Sequence, residues 1–439
     1  MPPTPSASSD NSTPDRASLE PTHTLEPIAV PNPRGEIKPL TSFRFLIGFT
    51  LFVHHGVNFH WSALHGPTSR PFGFVDFLHQ GYGAVAFFFL LSGFTLAYNY
   101  SHRFARPDGR QVLKFYVNRV ASIWPVHLLA FALAAGFVID DLISQPAHTL
   151  TTALPSLVLL QAWMPLAGPD TVSLGFNGPS WSLSALMSFY LVFPLLCFAV
   201  LRVWHPTRRG LLLAPALGIA ATAALAWTWQ GDSYSSWFFH TFPALRLIDF
   251  FTGICACLIF LHPATSRAAD RRSRTWWTGA EVAAILGVFI MVAGKDLAPL
   301  AVRYSSWYLP AIGALVFTFA HARGAISSML SKRAPVYLGR ISFPFLMLHV
   351  AIMNYLFSAG LYGVNPWLGN AVALGLSLSV SAAVFRWYET PLRRIIRARA
   401  GAWVDRRMAG PDGYAVSDPG EAPAADEGDE DKVATERVA

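Results

Sequence analysis

The stretch RFLIGFTLFVHHG, residues 44–56, has the apolar content of a membrane-spanning helix, yet it opens on an arginine and contains two adjacent histidines. A transmembrane helix needs about 20 mostly apolar residues, and this region supplies them over roughly 43–62. Charged and titratable side chains are costly in the hydrocarbon core of a bilayer, so those found there commonly serve function. The first predicted span is therefore also the first candidate functional segment.

Arg44 and His55 share one face of this predicted helix. They are eleven residues apart, which at 100° per residue falls within about 20° of three full turns and places them roughly 16 Å apart along the axis. Asn58 stays near that face, whereas His54 points about 100° and His60 about 140° away from it. Imidazole titrates near neutral pH and suits proton transfer. We therefore interpret His55 as functional and His54 as a packing residue, whereas Arg44 is equally compatible with function and with a structural role at the inner edge of the span.

The composition requires a lipid environment. The chain has 439 residues, of which 53% are hydrophobic and only 13% charged, a balance that a water-soluble globule of this size does not reach. The net charge of +7 does not indicate nucleic-acid binding, because the arginines form short clusters between apolar segments. The three cysteines, Cys197, Cys255 and Cys257, all lie in predicted spans, so we expect neither a disulfide framework nor a metal site.

The apolar segments predict an all-α, polytopic membrane protein with about ten transmembrane helices. An eleventh apolar segment, 150–165, is short and contains Pro155. The predicted spans are roughly 43–62, 81–100, 120–139, 183–203, 210–229, 243–262, 278–294, 305–322, 341–360 and 366–387.

Charge decides whether 150–165 crosses the membrane. If it does not, every strongly basic segment falls on one side, as the positive-inside rule requires. These segments are 102–119, 202–209, 264–276, 323–340 and the chain from Arg393 onward. We therefore predict both termini to be cytoplasmic and 140–182 to be exoplasmic. The polar composition of 1–39 and the acidic composition beyond about 410 predict disordered tails.

Other polar residues in and near the spans are candidate binding residues. Arg103, Lys114 and Arg119, in the basic segment before the third span, form a plausible platform for phosphates, although topology alone also calls for basic residues there. In FNGPSWSLSALMSFYLVFP, 176–194, Trp181, Ser182 and Ser184 stand at a membrane interface and suit carbohydrate contact, although tryptophan also anchors helices at that depth.

Three further residues are candidates for a supporting role. Arg246 and Asp249, three apart on one predicted helix, can form an ion pair, which is as compatible with structure as with function. His349 follows Arg340 in LGRISFPFLMLH. Arg386, Glu389 and Pro391, in the final FRWYETPLRR, are better explained as a structural anchor at the end of the last span.

Taken in order, these motifs resemble the acyltransferase-3 family of integral-membrane acyltransferases. The resemblance rests on Arg44 and His55, the FFFLLSGF of the second span, Arg119 with Pro125, and the later elements PSWSLS, RLIDFFTG, LGRISFPFLMLH and YETPLRR. It covers about residues 40–395, which would form the transmembrane domain. The remaining parts are a tail at 1–39 and, at 396–439, a basic juxtamembrane segment followed by an acidic tail.

The resemblance implies ten helices and the transfer of an acyl group from cytoplasmic acyl-CoA to a hydroxyl at the other face. The family modifies cell-envelope glycans, lipid-linked sugars and glycosylated or macrolide metabolites, which implies a carbohydrate or glycoside acceptor and a bacterial inner membrane. Acyl-CoA, and acetyl-CoA in particular, would be a co-substrate, with no bound cofactor. Many relatives carry a glutamate two residues after the second serine of WSLS, where this chain has Leu186. Asp249 is the nearest replacement for that carboxylate.

The mechanistic hypothesis is O-acylation with His55 as general base or, alternatively, as a transient acyl carrier. Arg44 would bind the CoA phosphates or polarise the thioester carbonyl, Arg119 and the basic segment would hold the nucleotide, and Trp181 and Ser182 would line the acceptor side. Two other interpretations remain open. One is a transporter or flippase for a lipid-linked sugar or small anion, and the other is an inactive membrane partner.

Overall fold

A computed structural model describes residues 35–66, 81–106, 108–137, 139–165, 176–231 and 233–408, and in these ranges the regular structure is helical. The first helices are α1 (Lys38–His65), α2 (Gly81–Phe104), α3 (Gly109–Ala135), α4 (Ile139–Ser144), α5 (Pro146–Leu157), α6 (Trp181–Phe198) and α7 (Arg208–Thr228). They are followed by α8 (Ser233–His240), α9 (Pro243–Leu261), α10 (Pro263–Asp270), α11 (Arg274–Ala293), α12 (Leu300–Arg303), α13 (Leu309–Ala320) and α14 (Ala325–Leu330). The last are α15 (Arg333–Arg340), α16 (Ser342–Ser358), α17 (Leu361–Val364), α18 (Pro366–Val384) and α19 (Thr390–Met408).

Each of the ten predicted spans corresponds to an apolar helix in the described ranges. Among the described residues, eight helical segments are long and apolar enough to cross a membrane, and α15 with α16 makes a ninth that is bent by 59°. The predicted span 305–322 is a shorter apolar helix, α13, of 12 residues. The chain is therefore a polytopic helical membrane protein, with one span bent and one shortened relative to the prediction.

The ambiguous segment 150–165 does not form a membrane-spanning helix. It begins in α5, which has 12 residues and so measures about 18 Å against a hydrocarbon core of about 30 Å. The chain then turns through a short 3₁₀ helix at Gln161–Trp163. Ser184 of α6 holds this turn, because its hydroxyl donates to Leu159 O at 2.7 Å and accepts from Ala162 N at 3.3 Å.

The centre of the bundle is the crossing of α2 and α9. Gly93 of α2 lies against the backbone carbonyl of Phe250, and Gly253 of α9 lies against the carbonyl of Leu90, so close that a Cβ atom at either glycine would overlap the facing backbone. Small residues allow helix backbones to approach in this way. Inside lipid the hydrophobic effect contributes little to helix association, so close van der Waals packing stabilises the contact instead. The crossing fixes α2 at the core of the molecule.

The outer surface is apolar, as a lipid-facing surface must be. On α7, Leu217 is 68% exposed, and on α11, Ile290 is 63% exposed. Such large exposed side chains along whole helices indicate contact with lipid tails.

The five basic segments meet at one end of the bundle, here called the arginine end. Contacts join each segment to the next, namely Glu36 with Arg340, Arg323 with Asp270, Arg208 with Thr265, Arg202 with Ala105, and Arg110 with Asp405. This is the common side that the charge argument predicts. The opposite end carries α8, α12 and α17.

The last helix, α19, runs through residue 395, the predicted end of the transmembrane domain. Helix α19 continues to Met408 and packs on α3, where Asp405 accepts from Arg110 at 2.7 Å and from Lys114 at 3.1 Å. The predicted disordered tails lie almost wholly outside the described residues, since 1–34 and 409–439 are not among them.

Candidate active site

One cavity of about 700 Å³ connects the arginine end with side chains near the opposite end of the bundle. Its volume lies within the range of about 300–1,000 Å³ that is usual for ligand sites. Helix α1 contributes both Arg44 and His55 to the lining, as their predicted common face requires. Between the two ends the wall is mainly apolar, with Leu51, Ile123 and Met347, and also includes Ser92 and Thr95.

At the arginine end the cavity is lined by Arg44, Arg119, Arg340, Arg393 and Arg397. Arg119 lies over the rings of Tyr100, Phe115 and Tyr190, at 5.7–5.8 Å from the centroids. Its buried Nε has no hydrogen-bond partner within the described ranges. Arg44 makes no hydrogen bond or ion pair to any described residue. Guanidinium groups converging on one cavity form a site for phosphate groups.

Glu389, Arg393 and Arg397 form a single stripe, because they are spaced four residues apart on adjoining helical turns. Glu389 ends a turn of π-helix, Phe385–Glu389, a local widening that frequently occurs at functional sites. Its Oε1 lies 3.8 Å from Arg393 NH1, and Oε2 has no hydrogen-bond partner within the described chain. Glu389 thus places a buried carboxylate among the arginines.

Farther along the cavity, His55 is paired with His349 of α16. The distance from His55 Nδ1 to His349 Nε2 is 2.9 Å, and His349 Nδ1 lies 3.1 Å from Phe345 O. A carbonyl only accepts, so His349 Nδ1 carries the proton. His349 is fully buried, and no described carboxylate pairs with it, which favours the neutral ring.

The protonation of His349 determines that of His55. With its proton on Nδ1, neutral His349 offers Nε2 as an acceptor, so His55 donates from Nδ1. In a neutral His55 the other ring nitrogen, Nε2, is then unprotonated and basic. The pair therefore orients His55 as a base within the cavity.

His54, which the sequence indicates as a packing residue, contacts α2 and is also accessible from the cavity. Its side chain lines the same cavity, and its Nδ1 accepts from Gly81 N at 3.1 Å. The rings of His54 and His55 are T-shaped, with centroids 5.0 Å apart. A rotation of 100° separates two side chains on a helix surface, but the cavity wraps around enough of α1 to contact both. Asn58 also lines the cavity.

Beside the histidines, Tyr82, Trp181 and His240 form an aromatic wall. Tyr82 lies 6.0 Å from His54 and 5.2 Å from His240, measured between ring centroids. Trp181 meets His240 at 4.8 Å, and Tyr304 stacks behind His240 at 4.6 Å. Flat aromatic surfaces with polar edges suit an amphipathic ligand.

Arg246 and Asp249 stand behind this wall and do not line the cavity. Arg246 NH2 pairs with Asp249 at 2.7 Å, and Arg246 NH1 donates to His240 O at 3.1 Å and Tyr304 O at 2.9 Å. The Arg246 guanidinium also lies 5.9 Å from the ring centroid of Trp181. Asp249 is fully buried and accepts from Ser305, so it does not restore a carboxylate to the cavity. Leu186, at the position of the relatives' glutamate, does line it.

Three predicted binding residues are engaged elsewhere. Ser184 is buried and holds the turn at 159–162. Lys114 pairs with Asp405, and Arg103 lies 5.9 Å from the ring of Tyr100. None of them lines the cavity, whereas Trp181 and Ser182 do.

Sequence reasoning missed the contribution of the last span to the cavity. The sequence indicates Arg393 and Arg397 only as topology signals, and Glu389 only as an anchor. Their spacing of four residues was a usable signal, because it places three ionisable groups on one helix face. Arg340 and His240 carried no such periodic signal.

Comparison with known proteins agrees with these features. A model of the acyltransferase-3 family, described as an acyltransferase domain, matches residues 40–386. Acyltransferase MdmB of Streptomyces mycarofaciens is 32% identical over 321 residues, covering 69% of this chain and 76% of that protein. Nodulation protein 10 of Rhizobium leguminosarum bv. viciae is 25% identical, covering 74% of this chain and 85% of that protein.

Peptidoglycan O-acetyltransferase OatA of Listeria monocytogenes is 21% identical over 375 residues, which are 82% of this chain and 56% of that protein. No solved structure matches the chain at a significant level. The family match spans most of the helical bundle and includes Arg44, Arg119 and Arg340 at the arginine end and the histidine pair of the cavity, whereas Glu389, Arg393 and Arg397 lie beyond residue 386. The chain therefore belongs to the acyltransferase-3 family and is a membrane-embedded acyltransferase.

Proposed function

We propose that this enzyme transfers an acyl group, acetyl in the first instance, from cytoplasmic acyl-CoA to a hydroxyl of a carbohydrate or glycosylated acceptor. The observation that carries the proposal is the single cavity with arginines at one end and an oriented histidine base further along it. A phosphate-rich donor needs positive charge at its end of the site, and a hydroxyl-bearing acceptor needs a base at the other.

The arginine end supports acyl-CoA as the donor. CoA carries several phosphate groups, and guanidinium groups bind phosphate through paired, charge-assisted hydrogen bonds. Each such bond contributes about 1.5–3 kcal/mol. The apolar wall beyond the arginines suits the pantetheine arm and a short acyl chain. By the positive-inside rule the arginine end faces the cytoplasm, where acyl-CoA is present.

The aromatic wall supports a sugar as the acceptor. The faces of sugar rings carry C–H groups that pack on aromatic rings, and Trp181 and Tyr82 offer such surfaces beside the histidines. Two of the relatives are named as an acyltransferase and a peptidoglycan O-acetyltransferase. These names make a hydroxyl acceptor the natural choice for this chain as well.

In the proposed reaction, His55 Nε2 takes the proton of the acceptor hydroxyl while its oxygen attacks the thioester carbon. The C–S bond then breaks, and the proton passes from His55 to the CoA sulfur as it leaves. The products are the acyl ester and free CoA. His349 holds His55 in the required tautomer, as orienting groups do in other catalytic pairs.

The test uses the purified full-length chain in lipid vesicles with radiolabelled acetyl-CoA and an extract of envelope glycans and glycosylated metabolites. We expect label to move into acceptor and CoA to be released. His55→Ala should reduce the rate by about 10²–10⁴-fold, the usual contribution of a general base. Acetyl transfer by His55→Ala at the wild-type rate would contradict the mechanism.

A matched pair of variants tests the donor side in the same assay. Arg393 lines the cavity and Arg394 does not, although both changes to glutamine remove one positive charge from α19. Arg393→Gln should raise KM for acetyl-CoA by at least about tenfold, because the loss of one charge-assisted bond of about 1.5–3 kcal/mol exceeds the roughly 1.4 kcal/mol that corresponds to a factor of ten. Arg394→Gln should leave KM unchanged. Movement of a sugar across the vesicle without CoA release would instead indicate a transporter.

A further inference from the structure

We infer that His54 and Asn58 form an oxyanion hole for the thioester carbonyl, next to the base supplied by His55. The inference rests on the proposed acyl transfer and adds two catalytic residues to it. All three side chains line the cavity from α1 within a stretch of five residues. One short piece of helix would thus supply both the base and the groups that stabilise the developing negative charge.

The tautomer of His54 is fixed opposite to that of His55. The backbone N–H of Gly81 donates to His54 Nδ1 at 3.1 Å, so that nitrogen carries no proton. In a neutral imidazole the proton is then on Nε2, which makes His54 a hydrogen-bond donor. A neutral histidine acting as donor to a carbonyl oxygen is an established catalytic arrangement, since it stabilises an oxyanion without transferring its own proton.

Asn58 supplies the second donor. It lies four residues after His54 and hence on the same face of α1, one turn further on. Its side chain lines the cavity and makes no hydrogen bond to any residue within the described ranges. An asparagine amide has two N–H donors, and oxyanion holes of acyl-transfer enzymes use such side chains.

The three residues then act on different atoms in one step. His55 Nε2 accepts the proton of the acceptor hydroxyl, and the hydroxyl oxygen bonds to the thioester carbon. The π electrons of the carbonyl move to its oxygen, where the N–H groups of His54 and Asn58 bind the negative charge. When the carbonyl re-forms, the C–S bond breaks, and the CoA sulfur takes the proton from His55.

The experiment uses two substitutions of His54 that separate catalysis from structure. Asparagine keeps an acceptor near the Nδ1 position, for the bond with Gly81, but loses the donor at Nε2. Glutamine can place an amide N–H near the Nε2 position but loses that acceptor. In the vesicle assay with acetyl-CoA, we expect His54→Asn to lower kcat by about 10²-fold or more with KM nearly unchanged, the usual loss for one oxyanion donor. We expect His54→Gln to keep kcat within about tenfold of the wild type.

A purely structural role for His54 predicts the opposite order, in which His54→Asn is active and His54→Gln is impaired. That result would overturn the inference, as would wild-type kcat in both variants. Asn58→Leu, of similar size, should also lower kcat with little change in KM. His60→Gln is the matched control on the same helix, because His60 does not line the cavity and instead meets Trp367 at 4.5 Å.

The same assay distinguishes failure of the inference from failure of the proposed function. If the wild type transfers acetyl and His55→Ala does not, the function stands, and the His54 and Asn58 variants alone decide the oxyanion hole. If the wild type releases no CoA with any acceptor in the extract, the proposed function fails, and the oxyanion hole fails with it. Melting temperatures within a few degrees of the wild type show that each variant is folded.

Discussion

His349 has one role that its position makes testable, which is to hold the proton of His55 on Nδ1. It is fully buried, with its own Nδ1 committed to Phe345 O. We expect His349→Phe to lower kcat by at least about 10²-fold. This substitution keeps an aromatic ring but removes the acceptor nitrogen, so His55 loses its orientation. KM for acetyl-CoA should not change. Steady-state kinetics of each variant, giving kcat and KM separately, is the measurement.

His349→Gln serves as the matched control, since its amide oxygen can accept the hydrogen bond from His55. It should recover part of the activity that His349→Phe loses. If the two variants are equally active, His349 is only a packing residue at this site. A rise in KM with constant kcat would place it in substrate binding instead.

The sequence predicts a common, cavity-lining face for Arg44 and His55 on α1, because helix geometry is local. Arg44 and His55 are placed on one cavity by their spacing alone. It could not predict that His54 shares this cavity, because the width of the cavity depends on helices other than α1, and α2, α6 and α16 supply much of its wall. Nor could it predict that Lys114 forms an ion pair with Asp405, almost 300 residues further along the chain.

Among the helices, the crossing of α2 and α9 is the contact least tolerant of change. Gly93 and Gly253 each face a backbone carbonyl of the other helix, and backbone cannot move aside as a flexible side chain can. We expect Gly93→Ala to force the helices apart and to destabilise the fold by about 1–3 kcal/mol or more, as overpacking does. Thermal unfolding in detergent should show a lower melting temperature.

Gly287→Ala provides the control, because Gly287 lies inside α11 and a Cβ atom added there would have no neighbouring atom within 4 Å. Alanine in a helix interior is favoured over glycine by about 0.5–1 kcal/mol. This variant should therefore be as stable as the wild type or slightly more so. Equal destabilisation by both substitutions would show that glycine flexibility, and not the close approach of α2 and α9, sets the stability.

The sequence predicts where the apolar helices lie better than it predicts the bend between α15 and α16 or the short length of α13. Ten apolar segments are visible in the pattern because each one must bury its own backbone hydrogen bonds in lipid. The bend of 59° between α15 and α16 and the shortness of α13 depend on neighbours. Gly339, just before the bend, lies so close to Thr41 O of α1 that a Cβ atom there would overlap it. Only the folded structure shows that contact.

At the scale of the whole molecule, the charge distribution sets the orientation on which the proposed function depends. The basic segments meet at one end, and the cavity presents its arginines there. If that end faces the cytoplasm, acyl-CoA binds from inside while the aromatic wall near the other end meets an acceptor from outside. The opposite orientation would leave the arginines without a phosphate-rich donor.

Cysteine labelling tests the orientation directly, because the three native cysteines are buried. Val364, at the opposite end, is 79% exposed, and Arg271, at the arginine end, is also exposed. We expect a membrane-impermeant maleimide to label Val364→Cys in intact cells and to label Arg271→Cys only after the membrane is opened. Labelling of Arg271→Cys alone in intact cells would place the arginine end outside. Since acyl-CoA is a cytoplasmic metabolite, that result would rule out acyl-CoA as the donor while leaving membership of the family untouched.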